Sequence, residues 1–412
     1  IIRTIGAAST VLLKNVNNAL PLKSPKSIGI IGNGAGPGSK GPNGYGDRAA
    51  TDGVLAVGWG SGTAEFPYLI TPLDAITAKA KASGTTVTSS LVDNDLNAAA
   101  NVAKGKDVAL VFVVANSGEG YITVEGNAGD RNDLQAWHGG DALVAKVASA
   151  NANTIVVVNS VGPITMEAWI NNPNVTAVVW SGLPGQEAGN PLTDVLYGLY
   201  NPSGRLPYTI GKSINDYSAK VLYNSNSAIL QVPYSEGLLV DYRHFDAKNI
   251  APRFEFGFGL SYTKFDYSGL AVSGSTVGGT APTGSALDPW LHTKVVTVTF
   301  TIKNSGPVAG HEVRIRKLDQ SAVLGLIYAF LQIPQLYTTP PASANSPPKN
   351  LKGFDSVYIE AGQSKTVTIQ LSRYDLAFWD VAAQRWRVPT GSHGISIGAS
   401  SRDIRLKGTL TV

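Results

Sequence analysis

The chain has 412 residues, 43% of them hydrophobic and 15% charged, with a net charge of +4. That length exceeds one ordinary core and implies at least two domains. Its 33 basic residues are scattered, dense only in "RIRK" at 314–317, which argues against a nucleic-acid partner, and the absence of cysteine removes disulfides, thiol catalysis and Cys-based metal sites.

The opening "IIRTIGAASTVLLKN" has no basic start, long apolar middle or cleavage site, so it is not a signal peptide. It reads as a helix already under way, with Ile2, Ile5, Ala8 and Leu12 on one face, and the chain is expected to begin inside a longer protein. Strand patterns follow at 27–32, 86–92, 107–115, 154–160 and 175–181, with helical stretches at 71–83 and 133–151. That alternation predicts a parallel-type α/β domain over 1–212. From 213 to 258 the pattern dissolves into a connector rich in Asn, Ser, Tyr and Gly. After a Gly/Ser/Thr/Pro-rich stretch, "TKVVTVTFTIKNSG", "SKTVTIQLSRYDL" and "GISIGASSRDIRLKGTLTV" alternate strictly, which predicts an antiparallel β-sandwich within 259–412.

The motif "GNGAGPG" at 32–38 follows a strand, but the third glycine of a dinucleotide fingerprint falls on Pro37 and no helix pattern follows until Thr71. It is expected to be a flexible loop continuing through "GPNGYGDR" and "GWGSG". The five histidines lie far apart, so neither a metal nor a cofactor is expected. Asn174 opens the sequon Asn-Val-Thr, a glycosylation candidate if the chain is secreted. The longest apolar run, 321–333, is shorter than the about 20 residues a bilayer requires, and no membrane partner is expected.

The stretch "VALVFVVANSGEGYITVEGNAGDR" holds the candidate functional carboxylate. Eight apolar residues without alternation fit a strand covered on both faces, and loops after such strands are where α/β sheets bind ligands. Glu119 sits there between two glycines that permit close approach of a ligand, and Tyr121 offers an aromatic platform for a sugar or ring. Glu125, Asp130 and Arg131 follow. A lone carboxylate in a glycine-rich loop is also an ordinary surface turn residue, and the pattern alone leaves both readings open.

"NSGEGYITVEGNAGDR", with "GAASTVLLKN", "GLPGQEAGNPLTDVLYG", "NPSGRLPYTI", "FEFGFGLSYTKFDYS" and "VPTGSHGISIGASSRDIRL", resembles the C-terminal portion of a fungal β-glucosidase of glycoside hydrolase family 3. The resemblance runs in order along the whole chain. It implies an α/β sandwich followed by a fibronectin type III domain, secretion, and a β-glucoside or cello-oligosaccharide substrate. It implies further that Glu119 is the general acid/base and that Tyr121 lines the site of the leaving group. The nucleophile belongs to an N-terminal TIM barrel that these residues lack, so the chain alone is expected to be inactive. The alternative is a non-catalytic carbohydrate-binding or interaction module. Two departures stand out: relatives carry a Cys pair at positions resembling Tyr45 and Ala50, and Asn116 replaces their usual Asp before S-G-E-G-Y.

A third departure is an insert at about 313–333. Relatives read G-x-E-V-x-Q-L-Y or G-x-E-I-P-Q-L-Y as one strand, whereas here 314–333 separate Glu312-Val313 from Pro334-Gln335-Leu336-Tyr337. A hairpin or helix laid on the sandwich would fit, as would a basic membrane-surface segment. The favoured reading is an unspliced intron translated in frame, because excising 313–332 leaves "GHEIPQLYTTPP" and restores the pattern.

Overall fold

The computed structural model describes residues 1–46, 52–120, 123–124, 126–222, 229–279, 285–306 and 331–412. The insert lies almost wholly outside these residues.

The first half is built on one six-stranded sheet. Its strands are β1 (Val11–Asn15), β2 (Ser27–Ile31), β3 (Thr86–Ser90), β4 (Val108–Ala115), β5 (Thr154–Ser160) and β6 (Val175–Trp180), in the order β1-β6-β5-β4-β2-β3. All neighbours are parallel except β1, which runs antiparallel to β6. Every residue of β4 and β5 is buried, the reason both read as uninterrupted apolar runs. Successive β4 side chains serve opposite faces. Ala109, Val111, Val113 and Ala115 pack with α3 (Leu96–Ala103) and α4 (Gly140–Ala150). Val108, Leu110 and Phe112 pack with α2 (Pro72–Ala82) and α5 (Gly189–Leu196). The result is a three-layer α/β/α sandwich. Thr71 starts α2 with a reciprocal capping box to Asp74, and Asp95 caps α3 through the Ala98 N–H.

The N-terminus departs from expectation. The helix α1 (Ile2–Ser9) stops at Thr10, whose backbone turns extended, and Leu12 lies in β1 rather than on a helix face. Its buried residues are Gly6 and Ala7, while Ile2 and Ile5 are exposed. Close packing explains the inversion: a β-carbon on Gly6 would stand 2.7 Å from the ring of Pro191 in α5.

The second half is a β-sandwich. One sheet holds β7 (Phe265–Gly274), β8 (Lys294–Asn304) and a strand at Ser364–Ser372; the other holds Gln335–Thr339 (β9), Asn350–Phe354 (β10), and two later strands. Numbered in chain order these are β11 (Ser364–Ser372), β12 (Phe378–Asp380), β13 (Arg385–Arg387), β14 (Ser392–Gly398) and β15 (Ile404–Thr411), with β12 and β13 forming a separate hairpin. Alternation along β8 turns Val296, Val298, Phe300 and Ile302 inward onto Val367, Ile369 and Leu371 of β11 and Ile395 and Ile397 of β14.

The region read as a connector makes specific contacts with both halves. Within it α6 (Tyr242–Ala247) rests on the sandwich: Tyr242 Oη accepts from the Leu351 N–H at 2.9 Å, and Asp246 pairs with Lys349 and Arg402, each at 3.1 Å. Arg253 grips Glu167 with two bonds of 2.5 and 2.6 Å.

Candidate functional site

A doubly wound sheet binds ligands where adjacent strands send their connections in opposite directions, because the loops diverge there and leave a crevice. Here β3 lies on one side of β2 and β4 on the other. The crevice therefore opens at the C-terminal ends of β2 and β4, whose outgoing loops run from 32 to 71 and from 116 to 139.

The two loops meet. Trp59 pairs with Gly118 in a parallel backbone bridge, and its indole N–H donates to the Glu119 carbonyl at 2.8 Å. Trp59 is only 4% exposed, packed with Val124 and Trp137. Gly118 is required by this contact, since a β-carbon there would stand 2.4 Å from both the indole and the carbonyl oxygen of Trp59. Glu119 itself faces solvent, and Ser61 Oγ donates to its Oε1 at 2.7 Å. Gly60, at φ 143°, lies close enough that a β-carbon would be 3.4 Å from the Glu119 carboxyl carbon.

Buried polar groups hold the base of the Glu119 loop. Asn116 Oδ1 accepts from the Ser117 N–H at 2.9 Å, and Ser117 Oγ accepts from the Arg131 N–H at 3.1 Å. The Arg131 guanidinium reaches across to the carbonyls of Val161 and Pro163 at 2.7 and 2.9 Å. Asp130 is exposed, with Oδ1 3.4 Å from Ser117 Oγ.

Side chains fasten the described parts of the glycine-rich loop, read from sequence as flexible, and the segment that follows it. Asn33 Oδ1 accepts from the Gly53 N–H at 2.6 Å, Tyr45 Oη donates to the Asp52 carboxylate, and Tyr68 Oη donates to Glu187 Oε1 at 2.6 Å. Burial would raise the Glu187 pKa, but hydrogen bonds from Tyr68 and Asn190 outweigh it and hold the carboxyl below its ordinary value. Asp93 joins three loops, accepting from the Asn33 N–H at 2.6 Å and meeting His138 Nδ1 at 3.0 Å. Glycines concentrated in one loop signalled mobility, whereas the polar side chains between them tie it down.

Of the residues singled out from sequence, Glu119 stands at the crevice and Tyr121, Glu125 and Ala50 lie outside the described residues. Asn174 is half-buried near the opposite end of the sheet, its amide donating to the Ala148 carbonyl at 2.7 Å. Among the described residues no group of His, Cys, Asp or Glu is placed to hold a metal ion, and no helix is long and apolar enough to cross a membrane. Sequence reasoning passed over Trp59 and Ser61. The signal for them was a single tryptophan inside "GWGSG", where an exposed loop has no reason to spend an indole. Together these residues present a solvent-facing carboxylate on a main chain clamped from both sides, suited to exchanging a proton with a ligand oxygen.

Residues 10–262 match the glycosyl hydrolase family 3 C-terminal domain, and 332–401 match the fibronectin type III-like domain. The chain is similar to "Probable beta-glucosidase L" of Aspergillus terreus (48% identical) and of Emericella nidulans (49%), aligned over all of this chain and 53% and 52% of theirs. A crystal structure of beta-D-glucoside glucohydrolase from Trichoderma reesei superposes with a TM-score of 0.89 at 49% identity, over 100% of this chain and 55% of that one. The chain thus spans about half the length of the relatives it matches. An α/β/α sandwich joined to a fibronectin-like sandwich, with both models matching in that order, is the arrangement expected from the sequence, and the chain belongs to glycoside hydrolase family 3, of which it carries the C-terminal portion.

Proposed function

We propose that this chain is the acid/base-bearing part of a secreted, retaining β-glucosidase that removes terminal β-D-glucosyl residues from cellobiose, short cello-oligosaccharides and aryl glucosides. The carrying observation is the exposed Glu119 carboxylate at the switch point of the sheet, on a loop clamped by Trp59 and Ser61. Relatives named beta-glucosidases are about twice as long as this chain, which supports a second half that supplies the nucleophile on a barrel domain.

Retention requires two carboxyl groups about 5–5.5 Å apart, one attacking the anomeric carbon and one protonating the leaving oxygen. Glu119 gives its proton to the departing glycosidic oxygen as the nucleophile forms a glycosyl ester. It then takes a proton from water, whose oxygen attacks the anomeric carbon and frees the nucleophile. A carboxylate carried by a separate domain lets the sugar enter before the pair is complete, and Tyr121 lines the side where the leaving group rests.

The test is Glu119→Gln in a protein carrying the upstream half. Turnover on cellobiose should fall roughly 100 to 10,000-fold, the range for a lost general acid/base, with a smaller loss in the first step for aryl glucosides whose leaving groups need little protonation. Azide, which needs no general base, should restore turnover of the activated substrate by forming β-glucosyl azide. Equal rates for the wild type and Glu119→Gln on cellobiose would reject the role.

A further inference from the structure

A cleft of about 890 Å³ lies on the β-sandwich between the β12–β13 hairpin, β10 and the loop after β9. Its size is that of small-molecule binding sites. Trp379 and Trp386 face each other across the hairpin, ring centres 5.8 Å apart at 70°. Trp386 in turn leans on Tyr374 at 4.6 Å, and Tyr374 on His292 at 5.1 Å. A hairpin this short has little to hold it in water, so its indoles would be expected to turn into the core. Trp379 is instead 41% exposed, at the cleft. Beside it the Asp380 carboxylate and the Arg387 guanidinium are locked at 2.8 Å.

We propose that this cleft is a second carbohydrate-binding site, separate from the Glu119 loop, that holds a β-linked glucan by stacking sugar rings on Trp379 and Trp386. A β-glucosyl ring carries its hydroxyls around the rim and leaves two faces of C–H bonds, which suit the electron-rich face of an indole. Planar charged groups beside that face meet neighbouring hydroxyls in pairs. The lining carries two carboxylates, Asp375 and Asp380, and three cations, Arg243, Lys352 and Arg387, with Asp380 already paired to Arg387, so acceptors and donors stand side by side as the hydroxyls of a polyol require. The choice of glucan among neutral saccharides rests on the function proposed above; the stacking does not.

The full chain should be retained by insoluble cellulose and should bind cellohexaose in a calorimeter. Trp379→Ala, which opens an exposed position, should weaken that binding by about tenfold or more, the equivalent of one aromatic contact. Glu119→Gln should leave it unchanged. Hydroxyl-radical footprinting of the wild type gives a readout independent of variant folding: saturating cellohexaose should at least halve oxidation of Trp379 and leave Trp59 unaffected. Absence of glucan binding, wild-type affinity in Trp379→Ala, or an unprotected Trp379 overturns the proposal. Binding lost in Glu119→Gln and kept in Trp379→Ala would overturn it too, placing the sugar at the acid loop and leaving the catalytic reading intact.

Discussion

Gly118 and Gly120 flank the same carboxylate but do different work. A methyl at Gly118 collides with Trp59, whereas at Gly120 the nearest atom among the described residues is 3.8 Å away. With the upstream half present, Gly118→Ala should reduce aryl-glucoside turnover by about 100-fold, the scale of an ångström misplacement of a catalytic group, and Gly120→Ala should stay near wild type. Equal rates for the two would show that the Trp59 clamp does not set the position of Glu119. The sequence exposed Glu119 because its cue was local: a buried strand breaking into glycine. It concealed Ser61 and Trp59 because their bonds to Glu119 span 58 and 60 residues and exist only once β2 and β4 are neighbours. A second residue-scale expectation concerns Glu167. The hydrogen bonds from Arg253 hold its pKa below the ordinary value near 4.5, so its stabilisation is present above that pH and disappears as pH falls through the depressed folded-state value. The pair is partly solvent-accessible, so Glu167→Gln should cost no more than about 1 kcal/mol at pH 7. Melting curves should show the difference shrinking as the pH is taken well below 4.5; a constant gap down to pH 2 would assign it to packing instead.

At the scale of elements, the strands of both halves were legible wherever burial imposes a pattern: continuous in β4 and β5, alternating in β8. Those missed were the ones whose partners, rather than their own residues, decide them. The helix α3 is short and half alanine, α5 has Gly and Pro in its first turn, and β1 takes an extended form because β6 offers it an antiparallel edge. The insert is the open case at this scale. The fibronectin-like match begins at 332, and the last residues of the segment, Leu331 and Gln332, pair with Tyr358 and Val357; that the rest is translated intron sequence remains a proposal. Deleting 313–332 should then raise solubility and shift the melting temperature upward by about 2–4 °C for each kcal/mol recovered. A lower melting temperature would show that the segment packs as a true part of the sandwich, and comparing transcript with gene decides its origin.

For the molecule as a whole, the exposed apolar residues fall in particular places. Val221, Leu222, Ile229, Leu230, Val232, Tyr234, Leu238 and Val240 are exposed within one stretch of chain, and Ile2 and Ile5 on α1. Concentrations of this kind mark a surface that expects a partner, which supports the proposal that the other half of the enzyme covers part of them. The isolated chain should therefore bind a hydrophobic dye, sediment as more than a monomer, and fail to hydrolyse aryl β-glucosides; robust turnover by the purified chain would refute the division of the active site between two halves. The Tyr45–Asp52 hydrogen bond carries a different consequence. The resemblance puts a cystine at Tyr45, but here the loop is fastened without sulfur in a chain that has no cysteine at all. Folding of these 412 residues then involves no disulfide exchange, so a reducing agent should leave their melting temperature unchanged.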